Sequence, residues 1–549
     1  MKSRLRPMKW FGRLALIATA FSPVAIIADD AAGKALLRRK RITTEIKPSE
    51  MATQSHAQPD NVADLWEQEA AQAEMDAERI LQGYFSMSIT DAPGPPTPPG
   101  PPTNPGAPVA PTPAPTDGPP MFCLEGTTRE DYLLDLLSPI TDRTLLRDPT
   151  TPQGMSFNWL VNMDPLLQPD PCNYPTTEQR YGLATLFYST TGMSWTNSSG
   201  WLGSESECTW AGVVCGDSTP ASRKLQASPG RVYKLNLPFN NLAGTIPEEI
   251  VTLYELENLN IFANSINSTL PDSLGTLTRL IFLDAERNLL SGQLIPNSLL
   301  QLGNLQALRL SRNSFTGSIP PQIGQIPEQF YQLTNLEDLR LDGNYLSGSL
   351  SPAIGQLTRL NDLRLNENLL TGTLPNELSL LTDLKNLILF DNYLNESLPD
   401  VFGGYVQMEQ LDLSLNFLTG NIPESIFAIP SVKFVYLSNN SFIGPIPSNF
   451  QDPPLLRDLY LDGNYLTGTI PPVEPGRLQE LNEILFNYNL FSGAMPQSFC
   501  DLRLDAVLDD LFADCGGETP KLQCSYPDCC NRCFTGDRPP RRRARQIRS

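Results

Sequence analysis

One pattern, roughly L-x-x-L-x-L-x-x-N-x-L-x-G-x-[IL]-P, recurs eleven times between Val232 and about Leu502, and it leaves this chain few folds to choose from. The ninth place of every copy is asparagine: Asn240, Asn264, Asn288, Asn313, Asn344, Asn368, Asn392, Asn416, Asn440, Asn464 and Asn489. A polar residue that returns at one place among leucines needs a structural cause. If each copy is one turn of a stacked coil, the chain must bend sharply after a short strand. A buried bend leaves backbone N–H and C=O groups to be paired. A carboxamide carries both donors and acceptors, so stacked asparagines satisfy those groups from copy to copy.

Most copies are 24 residues long. Leucines at places one, four and six build a short parallel strand, and the glycine and [IL]-P that follow turn the chain onto the outer wall. Apolar burial between neighbouring copies, worth about 25 cal/mol per Å2, holds such an array together. One copy is overlong: about seven extra residues lie between Leu305 and Leu336, and Ile326-Pro327 repeats Ile319-Pro320. Extra residues in a coil emerge as a loop, either for a ligand or as tolerated drift.

The net charge of -20 argues against nucleic acid as a partner, because phosphate binding needs a basic surface. The single histidine, His56, lies outside the repeats, which removes Ser-His-Asp and Cys-His catalysis. No kinase signature is present, and no cofactor or metal is expected. The ten cysteines gather at the two ends of the array, as disulfide-closed caps in an oxidising compartment would have them. Cys208 and Cys215 flank Trp210 immediately ahead of the first copy and are expected to pair; Cys123 with Cys172 is a second candidate pair. Cys500, Cys515, Cys524, Cys529, Cys530 and Cys533 close the other end, as disulfides or as a metal knuckle.

Around the array the chain divides by composition. Residues 1–28 carry a basic start and an apolar run of about 15 residues, short of a ~20-residue span, so they read as a signal peptide, with a signal anchor or a mitochondrial presequence as alternatives. Residues 29–91 form a low-order stalk with one weak helix, and 92–120 are a proline-rich linker of extended polyproline character. Residues 121–231 supply the N-terminal cap, with a helix expected over Thr176–Tyr188 capped by Thr176 or Thr177. Residues 232–499 are the eleven copies, 500–534 a cysteine-rich cap and 535–549 a basic tail.

The motif C-x-W-x-G-V-x-C before these copies resembles the extracellular domains of plant leucine-rich-repeat receptors and receptor-like proteins. The lead-in Arg147–Gln153, Asn158-Trp159-Leu160 and Gln179–Gly192 looks like the leucine-rich-repeat family of diatoms. The resemblance covers about Cys123 to Phe534. It implies an α/β fold: a right-handed leucine-rich-repeat solenoid with short parallel strands on the concave face and disulfide caps at both ends. It also implies secretion or surface display, or single-pass attachment if the N-terminal segment stays uncleaved, and recognition of a protein or glycan, with a co-receptor as a further partner. No kinase domain is present.

Within each strand, the residue between leucines four and six points outward. That column reads Asn236, Asn260, Asp284, Arg309, Arg340, Arg364, Ile388, Asp412, Tyr436, Tyr460 and Leu485. Three successive arginines suit an acidic protein or glycan, since guanidinium forks match carboxylates and sulfates. The alternative is that Asp338, Asp362, Glu286 and Asp342 neutralise them in place. Tyr436 and Tyr460, with Phe262, Phe282, Phe390 and Phe434, are expected to project from the same face, for a ligand or for packing. Sequons at Asn197, Asn267, Asn395 and Asn439 mark glycosylation; Asn267 and Asn395 share one place in their copies. The function expected is non-catalytic recognition through the concave face. The alternatives are an inhibitor of a foreign cell-wall hydrolase, as in plant polygalacturonase-inhibiting proteins, and a structural wall or adhesion component.

Overall fold

The structure, a computed structural model, describes residues 128–167, 174–216, 228–293, 299, 301–318, 333–505, 507–517, 521–524 and 529–535. The signal segment, stalk, proline-rich linker and basic tail lie outside these residues. So do Cys123, Cys172 and Ile326-Pro327 of the overlong copy.

Three-residue strands such as Asp338–Arg340 and Asp362–Arg364 stack in parallel, with like places of neighbouring copies directly opposed. They build a 14-stranded sheet that runs the length of the array. Its first strand, Val213–Cys215, is antiparallel to Val232–Asn236 and belongs to the N-terminal cap. The sheet continues past the eleventh copy through Asp510–Ala513 and Arg532–Cys533, inside the segment read from the sequence as a cap alone. The central residue of each strand points inward: Leu339, Leu363, Leu387 and Leu411 all lie in one continuous core. On one flank, the segments after the asparagines form a second parallel sheet of five strands, from Ser291–Gln293 to Tyr393–Leu394. Short 3-10 turns such as Pro352–Gln356 and Asn376–Leu380 complete the outer wall.

The asparagines hold the bends. Asn416 Nδ2 donates to the carbonyl oxygens of Leu389, one copy back, at 3.0 Å, of Leu413 at 3.2 Å and of Ser414 at 3.1 Å. Its Oδ1 accepts from the backbone N–H of Leu394 at 3.0 Å. The same set recurs at Asn288, Asn368, Asn392, Asn440 and Asn464. The residue before each asparagine is left-handed in all eleven copies, from φ +51° at Phe239 to +68° at Gly463, and only Gly343 and Gly463 are glycines. Side-chain hydrogen bonds therefore hold bulky residues where glycine would sit by preference. The ladder begins on the cap, where Asn240 Oδ1 accepts from Asn197 N–H at 2.6 Å. It ends at Asp514, which accepts from the N–H groups of Tyr488 and Asn489 at 2.9 and 3.1 Å but has no amide to pass on.

The N-terminal cap covers the open end of the leucine core. Helices Arg129–Leu137, Pro152–Asn162 and Thr177–Ser189 contribute Leu133, Leu160, Tyr181 and Leu183 to the same core as the repeats. The last helix is the one expected from the sequence, but Thr176 does not cap it with its side chain; its hydroxyl donates instead to Glu207 at 2.6 Å. Beneath lies Arg180, fully buried. Its Nε and Nη2 donate to Asp164 at 2.7 and 2.9 Å, and its other N–H groups reach Glu207 and the carbonyls of Gly203 and Glu205. Trp159 and Trp210 face the guanidinium at 5.1 and 4.9 Å. Glu249 of the first copy accepts from Thr141 and Gln153 of the cap, joining the two parts.

Disulfides close both ends: Cys208–Cys215 in the first cap, and Cys500–Cys529, Cys515–Cys533 and Cys524–Cys530 in the second. These pairings occupy the sulfurs that a metal knuckle would need. Among the described residues no helix is long and apolar enough to cross a membrane.

Candidate functional site

Strand alternation leaves two outward residues in each three-residue strand, so the concave face consists of two parallel columns. The register places Arg309, Arg340 and Arg364 side by side in one column, with Asp338 and Asp362 adjacent in the other. The charges interleave. Asp338 accepts from Arg309 Nε and Nη2 at 3.0 and 2.7 Å and from Arg340 Nε at 3.0 Å. Asp362 accepts from Arg340 Nη2 at 3.3 Å and from Arg364 Nε and Nη2 at 2.9 Å each.

Exposure separates the three arginines. The side chain of Arg309 is 2% exposed, that of Arg340 20% and that of Arg364 35%. Arg309 is thus an internal strut, and the outward cationic edge narrows to Arg340 and Arg364. Burial pushes the Asp362 carboxyl up, but the hydrogen bond from Arg364 and the charges of Arg364, Arg340 and Arg309 outweigh it and hold the group below the usual carboxylate range.

The aromatic residues divide as well. Phe262 and Phe282 are buried rather than projecting, because guanidinium groups lie over them: Arg287 over Phe262 at 5.6 Å and Arg309 over Phe282 at 5.1 Å. Phe390, Phe434, Tyr436 and Tyr460 remain half-buried. Tyr436 and Tyr460 stand on adjacent strands with ring centroids 4.5 Å apart.

Beside the tyrosines lie carboxylates that the sequence reading passed over. The Tyr436 hydroxyl donates to Asp458 at 3.1 Å, and the Tyr460 hydroxyl donates to Glu483. Asp458, Glu483 and Asp510 occupy one column on successive strands. Burial raises the Asp458 carboxyl despite the hydrogen bonds from Tyr436 and Asn482, and raises Glu483 too, where the charges of Asp458 and Asp510 add to the effect. The available signal was positional: an acid two places before Tyr460 faces the tyrosine of the copy before.

The concave face therefore has an arginine-bearing segment, in which Asp338 and Asp362 each lie between two arginines, and further along a segment of tyrosines and carboxylates. Of the sequons, Asn267 and Asn395 are exposed on the flank, and Asn197 is exposed with Oδ1 accepting from Ser199 N–H at 3.1 Å. Asn439 is half-buried in a left-handed bend.

With this geometry in hand, the comparisons with known proteins are specific. The family model described as Leucine Rich Repeat matches residues 304–326, 335–357 and 431–452. Phytosulfokine receptor 1 of Arabidopsis thaliana is 32% identical over 127 residues, which is 23% of this chain and 9% of that protein. The Arabidopsis receptor kinase HAESA, solved in complex with the peptide hormone IDA and the co-receptor SERK1, aligns with TM-score 0.51 and 30% identity. That alignment covers 62% of this chain and 53% of that one. The leucine-rich-repeat ectodomain of GASSHO1/SCHENGEN3 from the same plant aligns at 30% identity with TM-score 0.48, covering 54% and 34% of the two chains. This chain thus spans about half, or less, of the length of these relatives.

Proposed function

Since the chain is a leucine-rich-repeat protein similar to plant receptor ectodomains, we propose that it is a non-catalytic, extracellular or surface-held module that binds a peptide or protein on its concave face. The observation that carries this reading is the two-part concave face. Arg340 and Arg364 offer partly exposed guanidinium edges to an acidic group on the ligand, which a protein or an acidic glycan can present. Tyr436 and Tyr460 offer half-exposed rings of the kind that anchor protein interfaces. Arg309 supports the site from within. HAESA was solved with a peptide hormone and a co-receptor, and we extend that kind of partner, an extended peptide with a second protein completing the complex, to this chain. Disulfide caps and the exposed sequon at Asn197 suit a secreted glycoprotein.

Selection of displayed random peptides on the full, disulfide-intact chain tests the proposal. Enriched peptides should bind Arg340→Ala/Arg364→Ala and Tyr436→Ala/Tyr460→Ala variants at least ~10-fold more weakly, a loss of about 1.4 kcal/mol. Equal binding to parent and both variants would remove the concave face from the function.

A further inference from the structure

The flank formed after the asparagines carries a second feature, independent of the concave face. The residues one, three and five places after each ladder asparagine alternate with inward residues such as Leu346, Leu370, Leu394 and Leu466, all buried. Eleven copies give thirty-three such positions, and none is Asp, Glu, Lys or Arg. The chain is 18% charged, so thirty-three average positions would hold about six charges. Exposed faces of soluble proteins normally mix charges of both signs. Glu396, in the place a glycine usually takes, is the exception beside these columns.

In place of charge the flank carries hydroxyls, rings and a few exposed aliphatic side chains, Leu289, Ile443 and Leu490. Thr371 and Thr373, Thr467 and Thr469, and Ser349 are exposed. Tyr345, Phe417 and Tyr465 are 50%, 41% and 43% exposed. Tyr393 and Phe417, one copy apart, have ring planes within 16° and centroids 5.9 Å apart. A groove lined by Ser349, Thr373, Ser397, Pro375 and Pro399 runs along the same side, with Glu377 and Glu396 as its two acidic members.

We propose that this flank binds a neutral, repeating polysaccharide of the β-linked glucan or chitin class. Hydroxyls that donate and accept match sugar hydroxyls, and aromatic rings present apolar faces to the C–H faces of pyranoses. An uncharged polymer brings no charge to be desolvated and meets no repulsion from a chain of net charge -20. Like groups recur about 4.8 Å apart along stacked strands, so a repeating ligand engages many copies at once and gains avidity from weak single contacts. A small ligand would have no use for the same chemistry in copy after copy. The sequons Asn267 and Asn395 fall in the same columns, and a glycan on Asn395 would stand two residues from Tyr393. The polymer therefore requires Asn395 to be bare.

The test is co-sedimentation of the full chain, with N-linked glycans removed, on microcrystalline cellulose and on chitin. Soluble pectate serves as an acidic competitor. The parent should pellet with at least one neutral polymer and be unaffected by pectate. Thr371→Glu/Thr373→Glu should lose ~10-fold or more of that adsorption, since both side chains are exposed and only the long 3.4 Å bond from the Thr373 hydroxyl to the Leu374 carbonyl is given up. Arg364→Ala should pellet like the parent, which separates this surface from the concave one. A parent that stays in solution with both polymers overturns the proposal, as does equal adsorption of the glutamate variant. Sedimentation velocity supplies the third outcome: a dimer of the parent that the glutamates dissolve assigns the flank to a second copy and overturns the polymer.

Discussion

Arg364 grips Asp362, two residues earlier on its own strand, through Nε and Nη2 at 2.9 Å each. The neighbouring Arg340 reaches the same carboxylate at 3.3 Å, so one acid joins two copies of the array. A carboxyl held below its usual range contributes stability that is present above its unfolded value, about 4, and lost as pH falls through the folded value. Asp362→Asn should therefore be less stable than the parent at neutral pH, with the gap closing below about pH 4. Thermal unfolding of both proteins across that range reads the difference. A gap unchanged by acid would mean that the arginines do not hold Asp362 ionised.

Asp458 and Glu483 titrate with the opposite sign. Burial raises both carboxyls, so their contribution is present below the unfolded value, about 4, and declines as pH rises through the raised folded value. Glu483→Gln should gain on the parent as pH increases from ~4 toward neutrality. Parallel pH profiles for the two proteins would contradict the assignment of the carboxylate column as a strained group.

Asn416 holds three carbonyls and one N–H from within the core. Asn416→Ala should cost about 3 kcal/mol, since an unpaired buried group costs ~1–3 kcal/mol and water can repair only part of the loss. Chemical denaturation measures it. A cost within ~0.5 kcal/mol, the range of ordinary surface changes, would show that the ladder is ornamental.

Leu415, just before that asparagine, sits at φ +56° and is 47% exposed. Left-handed backbone costs a non-glycine residue roughly 1–2 kcal/mol, partly offset by the greater chain entropy that glycine loses on folding. Leu415→Gly should consequently leave stability unchanged or raise it by up to ~1 kcal/mol, whereas the same change at buried Leu418 should be strongly destabilising. A large loss at position 415 would place the bend's energy elsewhere.

The buried Arg180 of the cap uses its planar fork on Asp164 and its remaining N–H groups on Glu207 and two carbonyls. Lysine keeps the charge but not the fork. Arg180→Lys should cost ~3 kcal/mol or more, as breaking a buried ion pair usually does. It should first expose the N-terminal end of the array, which limited proteolysis would detect. Resistance equal to the parent would leave the network without a structural role.

How far the sequence revealed all this depended on the range of each interaction. The ladder asparagines, the inward leucines and the Cys208–Cys215 neighbourhood repeat or lie close in sequence, so their places follow from period alone. The two further strands, Asp510–Ala513 and Arg532–Cys533, were harder to see because Asp514 stands where asparagine is expected and the next copy is cut short by cysteines. Side-chain reach across strands was less legible still. Period placed Arg309 in an outward column, yet Asp338 draws it down over Phe282. Tyr436 and Tyr460 stood out in the sequence, while Asp458 and Glu483 did not, because their partners are 22 and 23 residues away.

Hydrogen exchange of the full chain, with and without a peptide recovered by display, tests the concave-face reading most directly. Slowed exchange is expected only in strands Asp338–Arg340, Asp362–Arg364, Phe434–Tyr436 and Asp458–Tyr460 and the bends beside them. This protection should disappear in Tyr436→Ala/Tyr460→Ala. Protection confined to the flank or to either cap, with the concave strands unchanged, would contradict that reading.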